Sequence, residues 1–287
     1  MRYSHYFRTF PLIAALFLPA LLTAYDSPIN PAPPKGATPE EIIARFAAKE
    51  KEFKSARDHY TYRQDTKVQT LDGDTVNGEY QEVVDIVFDD KGRRTENVIL
   101  APQNTLVGVT MTKEDYDDIR NRLPFVLTSD ELGQYQILYV GQQKVDELDT
   151  YVFDVAPKTM DKGKRYFQGR IWVDDRDLQI VKTEGKNVPD VRPKNKRDEN
   201  LSPKFTTYRE QVDKKYWFPT YTRADDELHF SSGDIHIREI VKYTNYKRFG
   251  SDVKVIFEGQ EIKGPEDQDH KPEPQATPQN PQAKPKK

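Results

Sequence analysis

From His59 onward the chain is a succession of short runs in which apolar and polar residues alternate, most of them closed by a turn signal. Alternation with period two puts successive side chains on opposite faces of a strand. Runs joined by short turns must pair antiparallel, so this pattern constrains the fold more than any other feature. Strands are expected over 59–70, 79–89, 93–101, 135–142, 150–157, both halves of 165–186, 205–212, 216–230, 234–249 and 253–257. Turns are expected at LDGDTVNG (Leu71 to Gly78), DDKG (Asp89 to Gly92) and SSGD (Ser231 to Asp234). About ten strands in one meander would curl strongly and leave a concave face too wide for the sheet's own side chains to fill. The expected fold class is mainly β (α+β), a single highly curved antiparallel sheet forming a half-barrel.

The ribbon RYFQGRIWVDDRDLQIVKTEGK, Arg165 to Lys186, shows the pattern in detail. Paired about Asp175-Arg176, it sets Val173 against Leu178 and Ile171 against Ile180 on one face. Arg170, Trp172, Gln179 and Val181 fall on the other, which reads as mostly wet.

Two stretches read as helical. Thr38-Pro39-Glu40-Glu41 supplies an N-cap, a proline at the first helical position and two acids in the first turn. Ile42, Ile43, Phe46, Ala47 and Phe53 follow at helical spacing, so an amphipathic helix is expected to run to about Arg57. A second start at Thr112-Lys113-Glu114 and a stop at Arg122-Leu123-Pro124 are followed by the apolar group Leu123, Phe125, Val126 and Leu127. This segment is suited either to a lid over a concave sheet or to a plug at one end of the core. The charged stretch 185–204, with its prolines, reads as a surface loop.

The ends differ in character. Residues 1–24 carry Arg2 and Arg8 and then FPLIAALFLPALLTA, the pattern of a secretory signal cut near Ala24. With no cysteine the chain has no disulfide and no site for a thiol-linked acyl anchor, so a periplasmic protein that is not a lipoprotein is expected. Residues 25–38 and 261–287 are rich in proline and polar residues and read as disordered arms around one domain at 39–260. Losing Arg2 and Arg8 takes the net charge from −3 to −5, which is no basis for nucleic-acid binding.

Catalytic signatures are missing: there is no HExxH, GxSxG, GxGxxG or Walker loop, and the carboxylate pairs Asp174-Asp175 and Asp225-Asp226 sit at turns. DGDTVNGE departs from a calcium loop at Val76. His229 and His236 are expected to face each other across the Ser231 to Asp234 turn, two imidazoles where zinc generally takes three or four protein ligands. No enzyme, metal or cofactor is expected.

Three stretches together carry a resemblance: LYVGQQKVDELDTYVFDVAPK (Leu138 to Lys158), YFQGRIWVDDRDLQIVKTEG and YWFPTYTRADDEL (Tyr216 to Leu228). The chain resembles bacterial outer-membrane lipoprotein-sorting proteins of the LolA-like kind, with LolB and RseB as related folds. That resemblance implies a half-barrel whose concave face is closed by helices around a site for acyl chains. The expected function is a non-catalytic periplasmic carrier or binding protein for lipid or lipoprotein acyl chains, with an RseB-like sensor or scaffold as the alternative. Its partners would be those acyl chains and an envelope membrane protein that delivers or receives cargo. The residues expected to line the site are Val84, Ile86, Phe88, Phe153, Val155, Ile171, Val173, Leu178 and Ile180, with Phe125 and Leu127 from the flap.

Overall fold

The structure, a computed structural model, describes residues 26–89, 93–121, 124–190, 201–249, 256–257 and 260–261. The readings of a signal at 1–24, of the tail beyond 261 and of the 191–200 half of the 185–204 loop therefore lie outside the described residues, while 185–188 belong to a strand rather than to a loop. Helix α1 (Pro39–Arg57) begins at Thr38 with a capping box. The Glu41 amide donates to Thr38 Oγ1 at 3.2 Å and the Thr38 amide donates to Glu41 Oε2 at 2.8 Å, satisfying two otherwise orphaned donors.

Ten strands follow: β1 (Tyr60–Asp72), β2 (Thr75–Phe88), β3 (Arg94–Leu100), β4 (Tyr135–Val145), β5 (Leu148–Pro157), β6 (Tyr166–Asp174), β7 (Ile180–Val188), β8 (Phe205–Val212), β9 (Tyr216–Phe230) and β10 (Gly233–Arg248). They form one antiparallel sheet in the order β3-β2-β1-β10-β9-β8-β7-β6-β5-β4, open at its two edges rather than closed into a barrel. Every neighbouring pair is adjacent in sequence except β1 with β10. Helix α2 (Lys113–Asn121) lies in the connection from edge strand β3 to the opposite edge strand β4. The expected strand at 253–257 is described as β11 (Ile256–Phe257), paired with β12 (Gln260–Glu261) apart from the main sheet.

One face of the sheet is covered by α1, α2 and the segment after α2. Ile42, Phe46 and Ala47 of α1, Ile119 of α2, and Phe125 and Leu127 join sheet residues in the main core. Phe46 meets Phe153 at 5.6 Å between ring centroids, and Phe125 stacks on Phe167 at 4.4 Å. A smaller group closes the end of α1, where Phe53 packs edge-on against Phe218 at 5.0 Å.

Three local expectations are corrected. The first turn is tighter than expected: β2 starts at Thr75, so Val76 and Asn77 belong to the strand and Gly73 takes the positive φ of 57°. The ribbon's register also differs, since Val173 pairs with Ile180 and Ile171 with Thr183. The connection between the two strands includes Leu178, at φ 52°, whose side chain reaches the core from the loop rather than from a strand. Finally, the face read as wet carries a buried apolar group, Val145, Val152, Trp172 and Val181. Chain from the N-terminal arm covers it. Asn30 exchanges backbone hydrogen bonds with Gln142 at 2.8 Å each way, Ile29 packs against the group, and Asp26 pairs with Lys182 at 2.6 Å.

Strands β6 and β7 approach closely at the facing pair Gly169 and Gly185. A Cβ on Gly169 would lie 2.2 Å from Glu184 O and 2.5 Å from Gly185 Cα, both backbone atoms. Gly169→Ala is therefore expected to lower stability by about 1–3 kcal/mol, as overpacking does. Gly133→Ala, where nothing lies within 4 Å, is expected to stay within about 0.5 kcal/mol. Urea unfolding midpoints of the two variants check the difference, and equal midpoints would refute it.

Candidate ligand-binding cavity

The residues expected from sequence to line a site do not all meet. Phe153, Val155, Ile171, Val173, Leu178 and Ile180 pack with Phe125 and Leu127 in the core beneath α1. Val84 and Ile86 are buried on β2 outside that cluster, and Phe88, at the end of β2, is half-buried. The core includes a charged contact. Arg209 Nη1 donates to both carboxylate oxygens of Glu50 at 3.1 Å, the Ile180 amide donates to Glu50 Oε1 at 3.1 Å, and Arg209 Nη2 donates to the Phe125 carbonyl.

A cavity of about 220 Å³ opens next to this core, between α2, the middle of β1 and β10, and residues 201–205. Its apolar wall includes Val68, Met111, Leu228, Phe230 and Ile237. Ile119 and Phe205 belong both to this wall and to the main core, so the cavity adjoins the buried cluster directly. Alternation explains the wall: on β10, Ile237, Val241 and Tyr243 share the inward parity and are all buried.

The same parity carries Glu239, which is only 8% exposed and lines the cavity. Its Oε1 has no hydrogen-bond partner among the described residues. Burial, reinforced by the charges of Asp115 and Asp118, pushes its carboxyl up to about 8. Asn187, 4% exposed, also lines the cavity, and its Oδ1 likewise has no partner among the described residues. Other polar groups of the wall bond one another. Arg165 pairs with Asp118 at 3.0 Å and donates to Ser202 Oγ at 3.0 Å. Asp115 accepts from the Thr112 amide and hydroxyl at 2.7 Å each, capping α2. No residue of this cavity was named from sequence as a lining residue.

No family model matches the chain, and no curated protein matches it. Among solved structures it is similar to a DUF1329 family protein from Desulfovibrio piger, with 13% identity over 77% of this chain and 96% of that one and a TM-score of 0.40. It is also similar to a LolA superfamily protein from Nitrosomonas europaea, with 15% identity, 72% and 92% coverage and a TM-score of 0.31. A third is an outer membrane lipoprotein-sorting protein domain from Vibrio parahaemolyticus, with 13% identity, 71% and 93% coverage and a TM-score of 0.32.

The histidine pair is corrected by the observed register. His229 lies opposite Asp234, to which it bonds at 2.9 Å through Nδ1, and His236 lies opposite Glu227 while bonding Asp225 through Nε2. Both imidazoles stand on one side of the sheet, each engaged by a carboxylate. Asp234 holds the exposed His229 ring above its usual pKa through a hydrogen bond.

Proposed function

We propose that the protein is a non-catalytic periplasmic binding protein for lipid or lipoprotein acyl chains. The observation that carries this reading is the apolar cavity beside α2, continuous with the core through Ile119 and Phe205. In this reading residues 39–260 form a half-barrel domain, and residues 1–24 are removed as a signal. The arm before α1 packs on the outer face of that domain through Asp26, Ile29 and Asn30, and the tail at 261–287 lies outside it. Helix α2 and the chain at 124–128 act as a lid. Ile119, Phe125 and Leu127 hold that lid on the core, and polar contacts add to them, including Arg120 with Glu96 at 2.8 Å and Arg165 with Asp118 at 3.0 Å. Moving α2 aside would join the cavity to Phe125, Leu127, Phe153, Val155, Ile171, Val173, Leu178 and Ile180, the acyl-lining residues of this reading.

An acyl chain burying about eight methylenes gains roughly 6 kcal/mol before ordering costs, which sets tens of micromolar as the tightest affinity it can reach. Protein stripped of lipid by mild denaturation and refolded is expected to take up a fluorescent acyl probe in that range. Ile237→Trp, which fills the cavity, is expected to weaken uptake at least tenfold. No uptake at high micromolar probe would overturn the reading.

A second reading, a lipid-responsive scaffold that holds a partner protein, is favoured by edge strand β3. Its Val98, Ile99 and Leu100 are exposed, and an open apolar edge is suited to pairing with another chain. A carrier passes labelled lipid to acceptor vesicles, whereas a scaffold retains it.

A further inference from the structure

We propose that the ligand of the cavity beside α2 is an amphiphile with a protonated amine at its head, and that Glu239 and Asn187 are the acceptors that hold the amine. This rests on the acyl-binding reading above and assigns the chemistry of the polar end, which that reading leaves open.

Three observations point the same way. Two acceptors, Glu239 Oε1 and Asn187 Oδ1, have no partner among the described residues, and both belong to residues more than nine-tenths buried in the wall of one cavity. Buried acceptors without donors are costly, and an ammonium brings three donors and no acceptor. The charge balance agrees. Among the described residues the wall holds the carboxyl groups of Asp115, Asp118 and Glu239 against the guanidinium of Arg165, which is already paired with Asp118. A carboxylate or phosphate head would meet acidic groups and unpaired acceptors, while a cation offsets both. Size agrees too. At about 220 Å³ the cavity lies just under the roughly 300–1,000 Å³ of drug-sized pockets, so it fits a small head and a short run of chain. The apolar wall formed by Val68, Met111, Phe230 and Ile237 would take the methylenes next to the amine.

The arrangement also explains a charged residue on the inward face of β10. Glu239 stands between Ile237 and Val241 on that face, where an apolar residue would pack without an unmet acceptor. Nothing in the strand's backbone pairing requires a carboxylate there: opposite Glu239 are Val68 on β1 and Ala224 on β9.

The test is isothermal titration of the lipid-stripped protein with octylamine, octanol and octanoate, which share one chain length and differ in the head. Octylamine is expected to bind at least tenfold more tightly than either of the others. Glu239→Gln keeps the shape and removes the carboxylate, so it should bring octylamine to the level of octanol and leave octanol unchanged. Asn187→Ala should weaken octylamine severalfold and octanol little. Unfolding midpoints of both variants, measured alongside, establish that each is folded. Equal binding of octylamine and octanol by the unaltered protein, tighter binding of octanoate, or an amine preference that survives Glu239→Gln would overturn the proposal. If a fluorescent acyl probe still binds in that case, only the head assignment fails. If neither the probe nor any of the three octyl compounds binds, the acyl-binding reading fails with it.

Discussion

Replacing Arg209 with methionine is expected to destabilise the protein by about 3–5 kcal/mol, the usual cost of leaving one member of a buried ion pair behind. Both side chains are essentially inaccessible, 1% for Arg209 and 0% for Glu50. Burial is the dominant influence on Glu50 and raises its carboxyl above the usual range, with the Arg209 charge as the largest opposing effect. Without the guanidinium the carboxyl would have to protonate. The Phe125 carbonyl and the face of Phe53, 5.1 Å below the guanidinium, would also lose their partner. The Glu50→Leu/Arg209→Met double variant separates charge from packing. It removes both ions and should recover most of the loss, because a well-packed apolar pair often matches a buried salt bridge. Urea unfolding of the single and double variants checks this. A single variant as stable as the unaltered protein would show that the pair does not tie α1 to the sheet.

Glu239→Gln is expected to change how stability depends on pH. A carboxyl whose folded-state pKa is raised from 4.5 to about 8 keeps its proton in the folded state where the unfolded chain has released it. The folded protein therefore loses stability as pH rises through that window, and the loss is complete above it. At about 1.4 kcal/mol per pH unit the full effect is on the order of 3–5 kcal/mol. The charged groups facing Glu239 are Asp115 and Asp118, and both act in the same direction as burial. The glutamine variant should match the unaltered protein near pH 5, exceed its stability by at least about 2 kcal/mol at pH 9, and show a flatter profile between. Unfolding midpoints at pH 5, 7 and 9 suffice. A wild-type profile that does not fall over this range would refute the prediction.

What could be read from the sequence was what depends on local periodicity. Thr38-Pro39-Glu40-Glu41 marks the start of α1 and Arg57 its end, because a cap, a proline and a charge bias act over one turn. The runs 205–212 and 216–230 coincide with β8 and β9 because each is bounded by polar turn residues. Registers were harder. Leu178 at φ 52° and the backbone irregularity between Trp172 and Val173 depend on how β7 meets the rest of the core, and alternation carries no trace of either. The buried outer group around Trp172 was missed because its cover comes from Ile29, far away in sequence. The cavity was missed for a related reason. Alternation says which residues point inward, but not which inward residues lack a neighbour. Glu239 did leave a signal: among positions 235, 237, 239, 241 and 243 it alone is charged, beside Ile, Ile, Val and Tyr.

The strand order has a consequence for how the chain assembles. The sheet consists of two runs of strands each paired to its sequence neighbour, β1 to β3 and β4 to β10, and a single seam joins them where Lys67 faces Ile240 and Val68 faces Glu239. Within each run every strand pairs with its sequence neighbour, and the longest connection is that from β7 to β8, so the runs can form early and independently. The seam must bring together positions more than a hundred residues apart, so it forms late and sets the overall folding rate. Until it closes, β1 and β10 each present a bare ladder of backbone donors and acceptors next to apolar side chains. The half-folded chain is then most open to pairing with another copy of itself.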